Sequence, residues 1–200
     1  MDKALNELQL DALREVGNIG AGNAATALSQ ILNKKIDMMV PKVDVVPFDN
    51  IVEKLGNEEK VVVAVLLKVF GDAPGNILFV MDEKKSQEFS SVMLAGFEDV
   101  PEEMHISVFQ EIGNILGNSY IGAISQITGL NLISSVPAVA TDMVIAVLTT
   151  TFLDAEQYSD YVLSIDTNFI DEYNKESGGS IFYVPKPGSL DKILTKLGLN

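Results

Sequence analysis

Apolar residues recur at threes and fours, with occasional gaps of five, from Leu5 through Leu8, Leu13, Val16, Ile19, Ala24, Ala27 and Leu28 to Ile31. That is the period of a long amphipathic helix, and it predicts one ending near Asn33. KIDMMVPKVDVVPF then alternates around two prolines, as an extended strand of edge or bulged character does. KVVVAVLLKVF and NILFVM, split by the turn signal GDAPG, predict a hairpin, and EKKSQEFSSVMLAG a shorter helix closed by Gly96. A second long helix is predicted from the acids around Pro101 to about Thr128. LNLISSVPAV reads as extended, YVLSIDTNF and SIFYVPKPG as a hairpin around DEYNKESGG, and SLDKILTKLG as a closing helix with Ser189 as its N-cap.

The two halves therefore follow one plan: long helix, strand, hairpin, short helix. At an offset of about 96 residues EVGNI meets EIGNI, ALSQI meets AISQI and VPKV meets VPAV, in the same order. The expected fold is α/β (α+β): a single domain over 1–200 with internal repeats 5–96 and 101–198, related by a pseudo-twofold axis. The repeats share one mainly antiparallel sheet of about six strands. ATDMVIAVLTTTFLDAEQ (140–157) reads as an extra piece of the second half with no counterpart in the first, and its periodicity fits a helix about as well as a strand.

Composition narrows the function. The chain is 47% apolar, enough for a substantial core, and its net charge of −14 with scattered lysines argues against nucleic acid and anionic membranes. The absence of cysteine removes disulfides, thiolate catalysis and Cys-based metal sites. The acid-bearing N-terminal segment does not read as a signal peptide. The longest apolar runs, Val61–Leu67 and Val144–Leu148, fall far short of the ~20 residues that span a bilayer, so a cytoplasmic location without membrane insertion is expected.

The chemistry lies where the long helices break their own rules. Asp11, Glu15 and Asn18 are spaced four and three apart and share a helical face, and Ser107, Glu111 and Asn114 repeat the pattern. Such side chains are expected to face solvent. Ordinary surface polarity accounts for one such face, but not easily for two, because Asn costs a helix roughly 0.5 kcal/mol and Gly roughly 1 kcal/mol against Ala. Gly17 and Gly113 suit either close packing of the helix or close approach of a partner. A dinucleotide fingerprint does not fit, since GNIGAGN has the order G-x-x-G-x-G and lies mid-helix. The lone His105 cannot form a histidine cluster and reads as a surface residue near a helix start.

Asp11-x3-Glu15-x2-Asn18 followed after 22 residues by Pro41, and Ser107-x3-Glu111-x2-Asn114 followed after 22 by Pro137, resemble the signature of the CheC/CheX/FliY chemotaxis phosphatases. The resemblance is strongest to the CheC branch and extends to YVPKPGSLDKIL near the C-terminus. It implies hydrolysis of the aspartyl phosphate of the response regulator CheY. Asn18 and Asn114 would position the attacking water, and Glu15 and Glu111 would pair with a lysine beside the phosphorylated aspartate. Asp11 and Ser107 would be secondary, orienting the glutamates, while Pro41 and Pro137 would shape the following strand.

The resemblance also implies Mg2+ on the regulator and no metal or cofactor of the chain's own. It further implies a monomer that binds the deamidase CheD through ATDMVIAV, with Asp142 as the acidic contact. The alternatives are a non-catalytic flagellar-switch scaffold and a CheD-binding adaptor.

Overall fold

The computed structural model describes residues 5–94, 101–154, 161–170 and 176–199. In chain order the elements are α1 (Glu7–Leu32), β1 (Asp37–Pro47), α2 (Phe48–Leu55), β2 (Val61–Gly71), β3 (Gly75–Asp82), α3 (Glu83–Met93) and α4 (Glu102–Thr128). They continue with β4 (Leu132–Ser134), β5 (Ala138–Met143), α5 (Val144–Asp154), β6 (Tyr161–Ile170), β7 (Glu176–Pro185) and α6 (Ser189–Lys196).

Each long helix ends by the same device. Asn33 (φ 50) and Gly129 (φ 71) take the left-handed conformation, and their N–H groups donate to the carbonyls of Ser29 and Ser125. The start of α1 is a capping box: Asn6 Oδ1 accepts the Gln9 N–H at 2.9 Å, and Gln9 Oε1 accepts the Asn6 N–H at 3.0 Å. The start of α4 has Pro101 in extended conformation followed by Glu102 and Glu103, which meet the positive end of the helix dipole.

Among the described residues seven strands form one sheet, antiparallel at every pairing, in the order β1-β6-β7-β3-β2, with β4 and β5 end to end along the outer side of β2. Each edge strand thus pairs with the hairpin of the other half. Exchanging β1 with β4–β5, β2 with β6 and β3 with β7 reproduces the order in reverse, which is the symmetry of a twofold axis between β7 and β3.

Both faces of the sheet are covered. Val63, Val65, Leu67, Ile77, Phe79, Leu163, Ile165, Ile181 and Tyr183 lie in one core with α1, α4 and Phe89 of α3. The alternate residues Val62, Ala64, Leu78, Val80, Val162, Phe182 and Val184 lie in a second core with Ile51 and Leu55 of α2 and Val144, Val147 and Leu148 of α5. Burial on both faces explains why VVVAVLL and ILFV read as unbroken apolar runs rather than alternating ones. On β1 the register slips between Met39 and Lys42, so Val40 and Val43, three apart, both reach the first core. This is the bulge expected around Pro41.

Four expectations are corrected. Residues 140–154 of the segment 140–157 are not an extra piece: the first of them end β5, and α5 begins 96 residues after α2 and covers the same face of the sheet, while 155–157 lie outside the described residues. A helix of eight residues, FDNIVEKL, was too short to stand out by period. Among the described residues there are seven strands, not about six, because LNLISSVPAV is cut at Ser135–Pro137. There Ser135 replaces regular pairing by exchanging two hydrogen bonds with Lys68, one through its backbone N–H (2.8 Å) and one accepted by its hydroxyl (2.9 Å). β7 starts at Glu176, so ESGG belongs to the strand and not to the loop. The N-cap of α6 is Gly188 (φ 83), while the Ser189 hydroxyl donates to the Pro74 carbonyl at 2.7 Å. Gly96 lies outside the described residues.

Candidate functional site

On α1 the inward face is set by Leu13, Val16, Gly17, Gly20, Ala21, Ala24 and Leu28, all buried. That leaves Asp11, Glu15 and Asn18 exposed on the outer face. Residues three or four apart on a helix bring their Cβ atoms to about 5–6 Å, so a carboxylate and an amide stand side by side there. Asp11 is paired with Arg14 at 2.6 Å, both largely exposed. The second motif is carried by α4, where Glu111 and Ser107 are exposed and Asn114 is half-buried, not fully open as Asn18 is. The Ser107 hydroxyl donates to the Glu103 carbonyl at 2.9 Å. The hydrogen bonds of Asp11 and Ser107 run to Arg14 and to the helix backbone respectively.

Gly17 and Gly113 point at the sheet, so of their two readings the structure bears out close packing of the helix. A Cβ on Gly113 would collide with Val65 Cγ1 and sit 3.1 Å from Pro137 Cβ. On Gly17 it would meet Val40 at 3.6 Å and Ile165 at 3.9 Å, an ordinary packing distance. Gly20 allows the helices to meet, since its Cβ would lie 3.1 Å from Tyr120 Cα. The glycine of α1 that is exposed and has no atom beyond the adjoining turn of its own helix within 4 Å of a Cβ position is Gly22, four residues after Asn18. On α4 the matching position, 96 residues on, is Asn118, whose Oδ1 accepts the Ser134 hydroxyl at 3.0 Å.

The prolines fall where the edge strands break. Pro41 lies in the register shift of β1, and Pro137, buried, lies between β4 and β5 against Gly113. Asp142 is exposed near the end of β5, opposite Val62, and accepts the Met143 N–H at 2.7 Å. The ATDMVIAV stretch divides there: Val144 and Val147 turn into the second core, and Ala140, Thr141, Asp142 and Met143 remain outside. His105 is half-buried, with Nδ1 2.7 Å from the Ser90 hydroxyl, which corrects its reading as a plain surface residue. Together with Phe109, Thr141 and the Ser86 to Ser91 face of α3, it lines an open cleft of about 460 Å³. Burial pushes the Tyr120 phenol up to about 12, so it stays protonated inside the core. Among the described residues no three His, Asp or Glu side chains converge as metal ligands would. No described helix is long and apolar enough to cross a membrane.

Residues 8–44, which hold the first motif, match the CheC-like family. The chain is 36% identical over 200 residues to the CheY-P phosphatase CheC of Bacillus subtilis (strain 168), covering 97% of this chain and 96% of that one. It is 30% identical over 139 residues to the flagellar motor switch phosphatase FliY of the same organism, covering 68% of this chain and 36% of that protein. Its fold is that of Thermotoga maritima FliY, with a TM-score of 0.80, 22% identity, and 98% of each chain covered.

Proposed function

The chain belongs to the CheC-like family of CheY-P phosphatases, and on that footing we propose that its two Glu/Asn faces carry out the hydrolysis. The function is dephosphorylation of the phosphorylated response regulator CheY. The observation that carries the residue assignment is the same acid–amide pair on the outward face of both long helices: Glu15 with Asn18, and Glu111 with Asn114.

An aspartyl phosphate reaches a loose transition state whose charge lies on the phosphoryl oxygens. It gains from a water held in line and loses from added negative charge nearby. A neutral carboxamide holds such a water by accepting from one of its hydrogens or donating to its oxygen. A hundredfold gain in rate from that alignment corresponds to about 2.7 kcal/mol, within reach of one positioned amide. The neighbouring carboxylate, a turn away on the same face, meets a lysine of the regulator and sets the register of docking. Mg2+ in this reading belongs to the regulator.

The site is packed from its underside. Gly113 seats α4 on Val65, Gly20 seats α1 against Tyr120, and the inward apolar stripe fixes which way each Glu/Asn pair faces. CheD is the proposed second partner, with Asp142 and the exposed end of β5 as its contact, and the chain is proposed to act as a monomer. The exposure of Asp142 and Met143 supports that surface.

The test is the decay of phosphorylated CheY in excess over the chain, at fixed Mg2+. Catalysis predicts that each molecule clears many equivalents of CheY-P. Decay at the spontaneous rate, with and without CheD, would replace this reading with the switch-scaffold one.

A further inference from the structure

Glycine is the poorest helix former after proline, so a glycine inside a long helix needs a reason in its surroundings. In α1, Gly20 has one in the Tyr120 backbone, and Gly17 is buried under the sheet-facing side. Gly22 has none inside the molecule: it is exposed, its backbone is helical, and beyond the adjoining turn of its own helix no atom lies within 4 Å of where a Cβ would stand. Its position gives it one outside. Four residues from Asn18 is about 6 Å along the helix and about 40° around it, so Gly22 continues the line of Glu15 and Asn18 on the same outer face.

We propose that Gly22 is where the phosphorylated regulator comes closest to α1, making it a positioning residue that lets Asn18 reach the phosphoryl group. The inference rests on the reading of Glu15 and Asn18 given above. A partner's loop can lie on bare helix backbone at Gly22, and any side chain there lifts the partner away from the amide one turn back. The Gly22 carbonyl is already held by the Thr26 hydroxyl at 2.9 Å, so what the glycine offers is space and not a hydrogen-bonding group. On α4 the corresponding side chain is Asn118, tied to Ser134 of β4, so the two faces present different contours to the same partner. The two motifs, alike in sequence, are therefore not equivalent docking sites.

Gly122 supplies the control. It too is a helical glycine in open space, but it lies eight residues beyond Asn114, about 12 Å along α4 and about 80° around it. The experiment uses the full chain carrying Asn114→Ala, so that only the α1 face works, and measures kcat and KM for CheY-P together with Tm. Gly22→Ala and Gly22→Gln are expected to raise Tm, because both improve an exposed helix position. They are expected to lower kcat/KM about threefold and more than about tenfold respectively, mainly through KM. Gly122→Ala is expected to raise Tm and leave both constants unchanged.

Parent-like kinetics in Gly22→Gln would overturn the inference and leave the Glu15/Asn18 reading intact. An equal loss in Gly122→Ala would also overturn it, by showing that removing a glycine far from the α1 face lowers activity as much as removing Gly22, so that contact at Gly22 is not responsible. An Asn114→Ala parent no faster than spontaneous decay would remove the α1 site itself, and this inference with it.

Discussion

Gly113 rests directly on Val65, with no room between them for a side chain. The matching pair in the other half, Gly17 and Ile165, keeps an ordinary packing gap of 3.9 Å from the position of a Cβ. The second helix therefore sits closer to its strand beneath the motif, and Asn114 is correspondingly half-buried where Asn18 is exposed.

That difference predicts unequal responses to one substitution. Gly113→Ala must push α4 off Val65 and is expected to cost about 1–3 kcal/mol, the usual cost of overpacking. Gly17→Ala has space and is expected to lie within about 1 kcal/mol of the wild type, its gain in helix propensity offsetting small contacts. Urea midpoints of the two variants check this, and an equal loss in both would deny the asymmetry.

Lys54 joins α2 to the sheet: its Nζ lies 2.7 Å from Asp166 Oδ1 and 2.7 Å from the Ser164 hydroxyl, with both charged side chains mostly shielded from solvent. Lys54→Ala leaves Asp166 without that partner and is expected to cost about 1–2 kcal/mol. Because α2 covers the face of the sheet opposite the long helices, CheY-P hydrolysis is expected to stay unchanged. Chemical denaturation and the phosphatase assay on the same preparation separate the two effects.

Asp82 predicts a pH dependence. Partial burial works against its charge, but the N–H groups of Lys84 and Lys85 at the start of α3 and the Lys60 ammonium at 3.2 Å outweigh it, holding the carboxyl below its ordinary value. A depressed folded-state pKa contributes stability that is present above the unfolded value of about 3.9 and is lost as pH falls through the folded value. Asp82→Asn is therefore expected to be less stable than wild type at pH 6, with the gap closing below about pH 4. A gap independent of pH would assign the effect to geometry instead of charge.

The long helices, the hairpins and the placement of the Glu/Asn pairs were legible because each rests on a period or on a repeated pattern. Asn33 and Gly129 announce their helix ends by residue type. What stayed hidden depends on contacts across the molecule. FDNIVEKL shows its role only once Ile51 and Leu55 meet Val62 and Phe182 in the second core, and without that helix α5 had no visible counterpart. The break at Ser135–Pro137 depends on Lys68, 67 residues away in sequence. Gly17 and Gly22 cannot be told apart in GNIGAG, since only packing shows which glycine faces the sheet and which faces outward.

The central claim is that Asn18 and Asn114 hold the attacking water. The most direct measurement is the decay of phosphorylated CheY with wild type, Asn18→Ala, Asn114→Ala and the double variant, each shown to be folded by its denaturation midpoint. The account predicts acceleration by wild type, a partial loss in each single variant that ranks the two faces, and a fall of about a hundredfold, close to spontaneous decay, in the double variant. A folded double variant that still clears CheY-P at the wild-type rate would contradict it.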